Sequence, residues 1–323
     1  MGNRAGRVLL GAAGALAGAG LGVFVGALAE AHAFHVVSHE VPVRGLRDAS
    51  GLATRLRVLH LTDVHYVPGQ LDKLQFIAGL AALHPDLVVC TGDLLSHDDG
   101  IDELTGALSG LFAFPGVFVF GSNDMFGARA SNPLHYLLRR TPHGDDDNEQ
   151  RTILDWRRQR AVLQRAGWVD LNNHRTILDV AGARVELRGT GDAHIGLDDY
   201  PSVAGPASPG IDLSLGVTHA PYRRVLDAMC GDELPLVFAG HTHGGQVCLP
   251  GGHAVTSNCD LDPSLASGLH WYTPALPRPL PGGRVVEEGT WLHVSRGVGT
   301  SPTAPYRLFC RPEACLVELI GIG

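Results

Sequence analysis

Five short segments of this chain carry side chains suited to holding divalent cations: Asp63-x-His65, Gly92-Asp93, Ser122-Asn123-Asp124, Thr218-His219 and Gly240-His241-x-His243-Gly244-Gly245. They combine carboxylates (Asp63, Asp93), an amide (Asn123) and imidazoles (His65, His219, His241, His243), a mixture that suits borderline ions such as manganese, iron or zinc. Seven donors are too many for one tetrahedral site. They match two five- or six-coordinate ions that share a bridging carboxylate, the arrangement that clamps an in-line displacement at phosphorus. An isolated His-x-His is more often an ordinary surface loop, so the reading depends on the five segments converging.

Convergence follows from what precedes each segment. Apolar runs at 57–61, 86–90, 117–120, 213–217 and 235–239 read as strands. Leu71, Leu74, Ile77 and Ala81 share a helical face, and Leu104, Leu108 and Leu111 form a softer one. Strands alternating with helices imply crossover connections and a largely parallel sheet. The turns after the strand C-termini then gather at one edge, where open sheets bind ligands. The paired glycines Gly244 and Gly245 supply backbone shapes closed to other residues and stop the last of these strands. Further strands are expected at 175–180, 184–188, 291–295 and 316–320.

The rest of the chain sets the surroundings. At 323 residues with a formal charge of −8, it has ample length for a core and no broad basic surface, so no nucleic-acid partner is expected. Residues 8–29 are uncharged and apolar and follow Arg4 and Arg7, which predicts a single membrane span over 1–34 with the remainder outside the cytoplasm. A cleaved signal at Ala27-Leu28-Ala29, giving a secreted product, is the alternative. Gly14, Gly18, Gly22 and Gly26 would line one face of that helix and offer a weak homodimer contact. Residues 35–54 read as a linker or short edge strand, and 55–323 as the folded domain. A charged insertion at about 132–167 is expected to pack down through Trp156, Val162, Leu163 and Trp168. His194, with Asp192 after a strand, is a candidate substrate-binding residue, whereas Arg296 and Arg307 read as solvated surface arginines. No Cys-x-x-Cys occurs, but in an exported domain Cys248 with Cys259 and Cys310 with Cys315 would be available for pairing.

In order and type, the motifs resemble those of the calcineurin-like metallophosphoesterases: Asp-x-His, Gly-Asp, Gly-Asn-His-Asp/Glu, His and Gly-His-x-His. Gly240 to Gln246, with the late Gly297-Val298-Gly299-Thr300-Ser301-Pro302 and Cys310-Arg311-Pro312-Glu313, is similar to the YkuE-like bacterial branch of membrane-associated phosphodiesterases. These are related to enzymes acting on UDP-2,3-diacylglucosamine. The resemblance implies an α/β (α+β) fold, a four-layer αββα sandwich, with two divalent metal ions, manganese favoured. It assigns Asp63, His65, Asp93 and His243 to one ion and Asp93, Asn123, His219 and His241 to the other, with Asp93 as the bridge.

One motif departs from the pattern. Gly121-Ser122-Asn123-Asp124 lacks the family's catalytic histidine: unshifted, Ser122 takes the ligand position, and shifted by one, Asn123 keeps it and Asp124 replaces the histidine. An amide oxygen is the better ligand, which favours Asn123 and makes Asp124 the catalytic candidate. Two nearby cations would hold the Asp124 carboxyl low, so good leaving groups are expected to be favoured. The expected activity is hydrolysis of an envelope or lipid-linked phosphodiester or diphosphate. The alternatives are a phosphoprotein or nucleotide phosphatase, or a catalytically weak metal- or lipid-binding member of the fold.

Overall fold

A computed structural model describes residues 18, 20–127, 151–274, 289–300 and 303–322. Two six-stranded sheets face each other, ordered β1-β14-β2-β3-β4-β5 and β12-β13-β9-β8-β7-β6. In the first sheet β1 (His35–Arg44), β2 (Arg55–Leu61), β3 (Leu87–Cys90), β4 (Gly116–Phe118) and β5 (Val169–Asp170) are joined by β14 (Glu313–Ile322). The second holds β6 (His174–Val180), β7 (Ala183–Gly189), β8 (Leu213–Val217), β9 (Leu236–Ala239), β12 (Gly268–Tyr272) and β13 (Thr290–Val294). Pairing is parallel along β2-β3-β4-β5 and β7-β8-β9-β13, with antiparallel contacts at β14-β2, β6-β7 and β12-β13.

The strands read as unbroken apolar runs because both of their faces are buried. Val58, Val89 and Val117 point between the sheets to meet Val185, Leu215 and Phe238. Their neighbours Leu59, Val88 and Phe118 point outward, beneath the helices Leu71–Gly79, Ile101–Leu108 and Trp156–Arg165. On the far side Val237 and Ala239 pack beneath the helix Arg223–Gly231. One expected helical contact differs: Leu71 is exposed, while Lys73 is buried and donates to the Val64 carbonyl at 2.7 Å. Lys73 and Ile77 lie one turn apart, so the helix is rotated from the expected face.

Residues 35–44 are no mere linker. They form β1, paired in parallel with β14 from His35↔Glu313 to Arg44↔Ile322. Its exposed alternate positions mark a sheet edge, where Pro42 is tolerated. Half of the expected apolar span, residues 8–17 and 19, lies outside the described residues, Gly14 included. Residues 20–30 are helical, and among the described residues no helix is long and apolar enough to cross a membrane. The end of this segment packs on the domain: the Ala27 carbonyl accepts from Arg307 N at 3.0 Å, and Phe34 stacks on Phe76 at 5.3 Å. Of the expected insertion, residues 132–150 lie outside the described residues; Leu163 and Trp168 pack as expected, with Trp156 and Val162 partly buried beside them.

Candidate metal centre

The site lies where β2, β3, β4, β8 and β9 end, and the loops continue the sheet's hydrogen bonding before they diverge. Asp63 N donates to Gly92 O and His65 N to Asp93 O, each at 2.9 Å, and Gly240 N donates to His219 O at 2.9 Å. The backbone then turns in a costly way. Asp63, His65, Asp93, His241 and His243 all take positive φ, between 46° and 70°. Such non-glycine conformations cost about 1–3 kcal/mol each and cluster where side chains must be aimed. The glycines next to them serve close packing: a Cβ on Gly240 would lie 2.1 Å from Thr62 Oγ1, and one on Gly121 2.2 Å from Asp93 Oδ1.

Donor atoms converge in two overlapping groups, Asp63 with His65 and His243, and Asp63 with Asp93 and His219, within each of which ligand atoms lie within 4.8 Å of one another. His65 Nε2 is 3.0 Å from His243 Nε2. Asp63 is common to both groups, and Asp93 Oδ2 lies 3.4 Å from His65 Nε2 of the first and 3.5 Å from His219 Nε2 of its own. The His241 ring is 5.2 Å from that of His219. Asn123 donates to Asp93 from its backbone N at 2.8 Å and from Nδ2 at 2.7 Å, while its Oδ1 accepts from Arg151 at 2.7 Å. A ligand role for Asn123 requires the amide to turn its oxygen inward, an orientation that hydrogen bonding decides. Five of the seven candidates thus form the donor groups, with His241 beside His219 and Asn123 beside Asp93.

The donor set fits cations. Asp63 Oδ1 and His219 Nε2 are buried without a formed hydrogen bond, a costly state unless a ligand completes it. The tautomers are set by outer contacts. His219 Nδ1 lies 2.6 Å from Thr91 O and His241 Nε2 3.2 Å from Asn258 O, so each donates there; the Asp93 carboxylate outweighs burial and raises His219 well above the usual imidazole range, so a cation at its Nε2 would replace a proton. Burial holds His241 and His243 well below the usual imidazole range and His65 at about 4, so these rings are neutral donors. Burial pushes Asp63 up to about 7. For Asp93 burial also opposes the charge, but His219 and His65 outweigh it and keep the carboxyl well below its usual value. Asp63 is fixed by Thr62 Oγ1 and His241 N, which donate to its Oδ2 at 2.8 and 2.9 Å.

Asp124 is placed differently from its expected catalytic role. It is fully buried, and its oxygens accept from the backbone N of Asp93, Leu94, Leu95 and Gly121 and from Gln159 Nε2. Burial, with Asp93, raises its carboxyl to about 6 rather than lowering it. Every partner is a donor, and four of the five are backbone N–H groups of the turns at Asp93 and Gly121. His194 does reach the site: its ring is 4.5 Å from that of His241, and its Nδ1 is 3.0 Å from the Tyr222 hydroxyl. Arg307, expected on the surface, is fully buried and donates to the carbonyls of His243, Gly299 and Arg296. Asn258 and Arg307 carried no spacing signal, because contacts between loops apart in sequence select them, and Thr62 adjoins Asp63 without a motif of its own.

Facing sheets, strand-end ligands and paired donor groups define a metallophosphoesterase. The chain belongs to the calcineurin-like phosphoesterase family, whose model matches residues 56–245; it is a phosphoric ester hydrolase. It is 26% identical to phosphodiesterase YaeI of Escherichia coli over 83% of each chain. It is 24% identical to the UDP-2,3-diacylglucosamine pyrophosphatase LpxG of Chlamydia muridarum, over 82% of this chain and 84% of the relative. With the metallophosphoesterase YkuE of Bacillus subtilis it shares 23% identity over 80% of this chain and 76% of the relative.

Proposed function

We propose that this protein is a dinuclear phosphodiesterase or diphosphate hydrolase acting on an envelope or lipid-linked substrate. The unpaired Asp63 Oδ1 and His219 Nε2, on either side of Asp93, carry the two-ion reading. Asp63, His65, Asp93 and His243 would hold one ion and Asp93, Asn123, His219 and His241 the other, with manganese favoured. Bound there, the ions supply Lewis-acid neutralisation of phosphoryl charge and a nucleophile from water. The chain's own residues orient this chemistry. Thr91 O and Asn258 O fix which nitrogens of His219 and His241 face inward, Thr62 steadies Asp63, and Asp124 holds the Asp93 turn. His194, steadied by Tyr222, is the side chain positioned to donate a hydrogen bond to the departing oxygen.

The names of YaeI and LpxG support a diester or diphosphate over a monoester. The apolar stretch 8–29 supports a membrane-anchored chain with its catalytic domain outside the cytoplasm. The test is purification without added metal, elemental analysis, and a screen of phosphomonoesters, phosphodiesters and diphosphates with manganese supplied. Two ions per chain with diester or diphosphate turnover supports the proposal. Dominant monoester turnover would replace it with a phosphatase, and bound ions without turnover with a binding protein. Fractionation of full-length chain tests the location: recovery only as a shortened soluble form would favour secretion.

A further inference from the structure

The six cysteines are free thiols in the structure, and two of them meet behind the His-x-His turn. Cys248 on β10 (Cys248–Leu249) and Cys310 just before β14 are buried at 4% and 1% exposure. Their backbones run side by side: Val247 and Leu308 form a parallel bridge, and Cys248 N donates to Leu308 O at 2.9 Å. Both thiols converge on one carbonyl. Cys248 Sγ lies 3.0 Å from Gly244 O, and Cys310 Sγ lies 3.5 Å from Gly244 O and 3.2 Å from His243 O. This is not the pairing expected from sequence. Cys315 instead lies in the sheet with Sγ 3.7 Å from Ser295 Oγ, and Cys259 sits in the loop that closes over His241.

We infer that Cys248 and Cys310 are a disulfide-forming pair whose closure cross-links the His243 turn to the last loop of the domain. Adjacent backbones and side chains aimed at a shared point are what a disulfide needs. The conversion balances against a small-molecule disulfide such as oxidised glutathione. One glutathione S–S bond breaks, one S–S bond forms between Cys248 and Cys310, and two glutathione thiols leave with the two protons and two electrons. The bond persists in an oxidising compartment and opens in a reducing one. Its effect falls on His243, since Gly244, which follows this ligand, is the residue both sulfurs contact. Arg307 Nη1 still donates to His243 O at 3.2 Å when the thiol donors are consumed, so that carbonyl keeps a partner.

The test equilibrates full-length protein with reduced and oxidised glutathione at several ratios, quenches with acid, blocks free thiols with N-ethylmaleimide and maps the peptides. A peptide pair linked through Cys248 and Cys310 is expected under oxidising ratios, with the other four cysteines alkylated. Linked protein should release its metal to a chelator several-fold more slowly than reduced protein, a difference lost in Cys248→Ser and kept in Cys259→Ser. Alkylation of both thiols at the most oxidising ratio, or linkage of Cys248 to Cys259, overturns the pairing. Equal release rates from linked and reduced wild-type protein overturn the effect on His243. Both wild-type measurements stand even where a serine variant fails to fold.

Discussion

Asp124→Asn separates a brace from an acid. The carboxylate takes two backbone donors on Oδ2, from Asp93 N at 2.7 Å and Gly121 N at 3.0 Å. Oδ1 takes three, from Leu94 N at 2.8 Å, Leu95 N at 3.3 Å and Gln159 Nε2 at 2.8 Å. An asparagine of nearly the same shape accepts on one side only. Its amino group would sit where fewer donors are lost, in place of Oδ2, leaving Asp93 N and Gly121 N facing a donor. A buried backbone donor left unpaired costs about 1–3 kcal/mol, so two destabilise by about 2–6 kcal/mol, offset in part by removal of a charge that burial disfavours. Against a total stability of roughly 5–15 kcal/mol this is a large loss.

The same loss lands on the turn that aims Asp93 at His65 and His219, so metal affinity should fall with stability. The assay is urea unfolding of metal-free and metal-loaded protein, with ion content counted after dialysis. A variant within about 0.5 kcal/mol of wild type, with full metal content, would refute the brace. If that variant also lost activity on alkyl esters alone, Asp124 would be restored as the acid.

Three further outcomes follow from the site and its surroundings. Asp93→Asn should abolish turnover more completely than other conservative ligand changes, because an amide cannot serve both groups with the same charge; near wild-type turnover with two ions still bound would remove the dinuclear assignment. His194→Gln should lower kcat/KM for alkyl diesters well beyond its effect on nitrophenyl diesters, whose leaving group needs little help; equal losses on the two classes would mean that His194 does not meet the departing oxygen. Between the sheets, His60 and His293 face each other at 2.9 Å, with burial holding His60 at about 3 and His293 well below its usual value. The unfolded chain takes up these protons below about pH 6.5 and the folded chain does not, so stability falls as pH drops from there towards 3, by about 1.4 kcal/mol per unit for each histidine. Replacing both by Leu should flatten the slope of urea midpoint against pH, and an unchanged slope would assign acid lability elsewhere.

How much of this was legible in the sequence depends on the range of the interaction that decides each feature. The strands were legible because a strand buried on both faces needs an unbroken apolar run, as in Leu87–Cys90 and Leu236–Ala239. The candidate ligands were legible because they follow those runs directly, and parallel register brings strand ends together without further instruction. The conformation that aims them was not. Positive φ is ordinarily a glycine signal, yet Asp63, His65, Asp93, His241 and His243 carry it themselves, and nothing local distinguishes them from other aspartates and histidines. That strain is offset by groups distant in sequence that hold the turns: Asp124 under Asp93, His241 N on Asp63, and Arg307 on the His243 carbonyl. The surroundings of Asp124 were hidden for the same reason. Next to Asn123 in sequence it looks like a second reactive group, but the helix Ser122–Met125 turns its side chain from the site towards Leu94 N and Gln159. A motif names the residues that touch the ions; only the packed loops decide which of their neighbours do chemistry and which hold the backbone in an otherwise unfavourable shape.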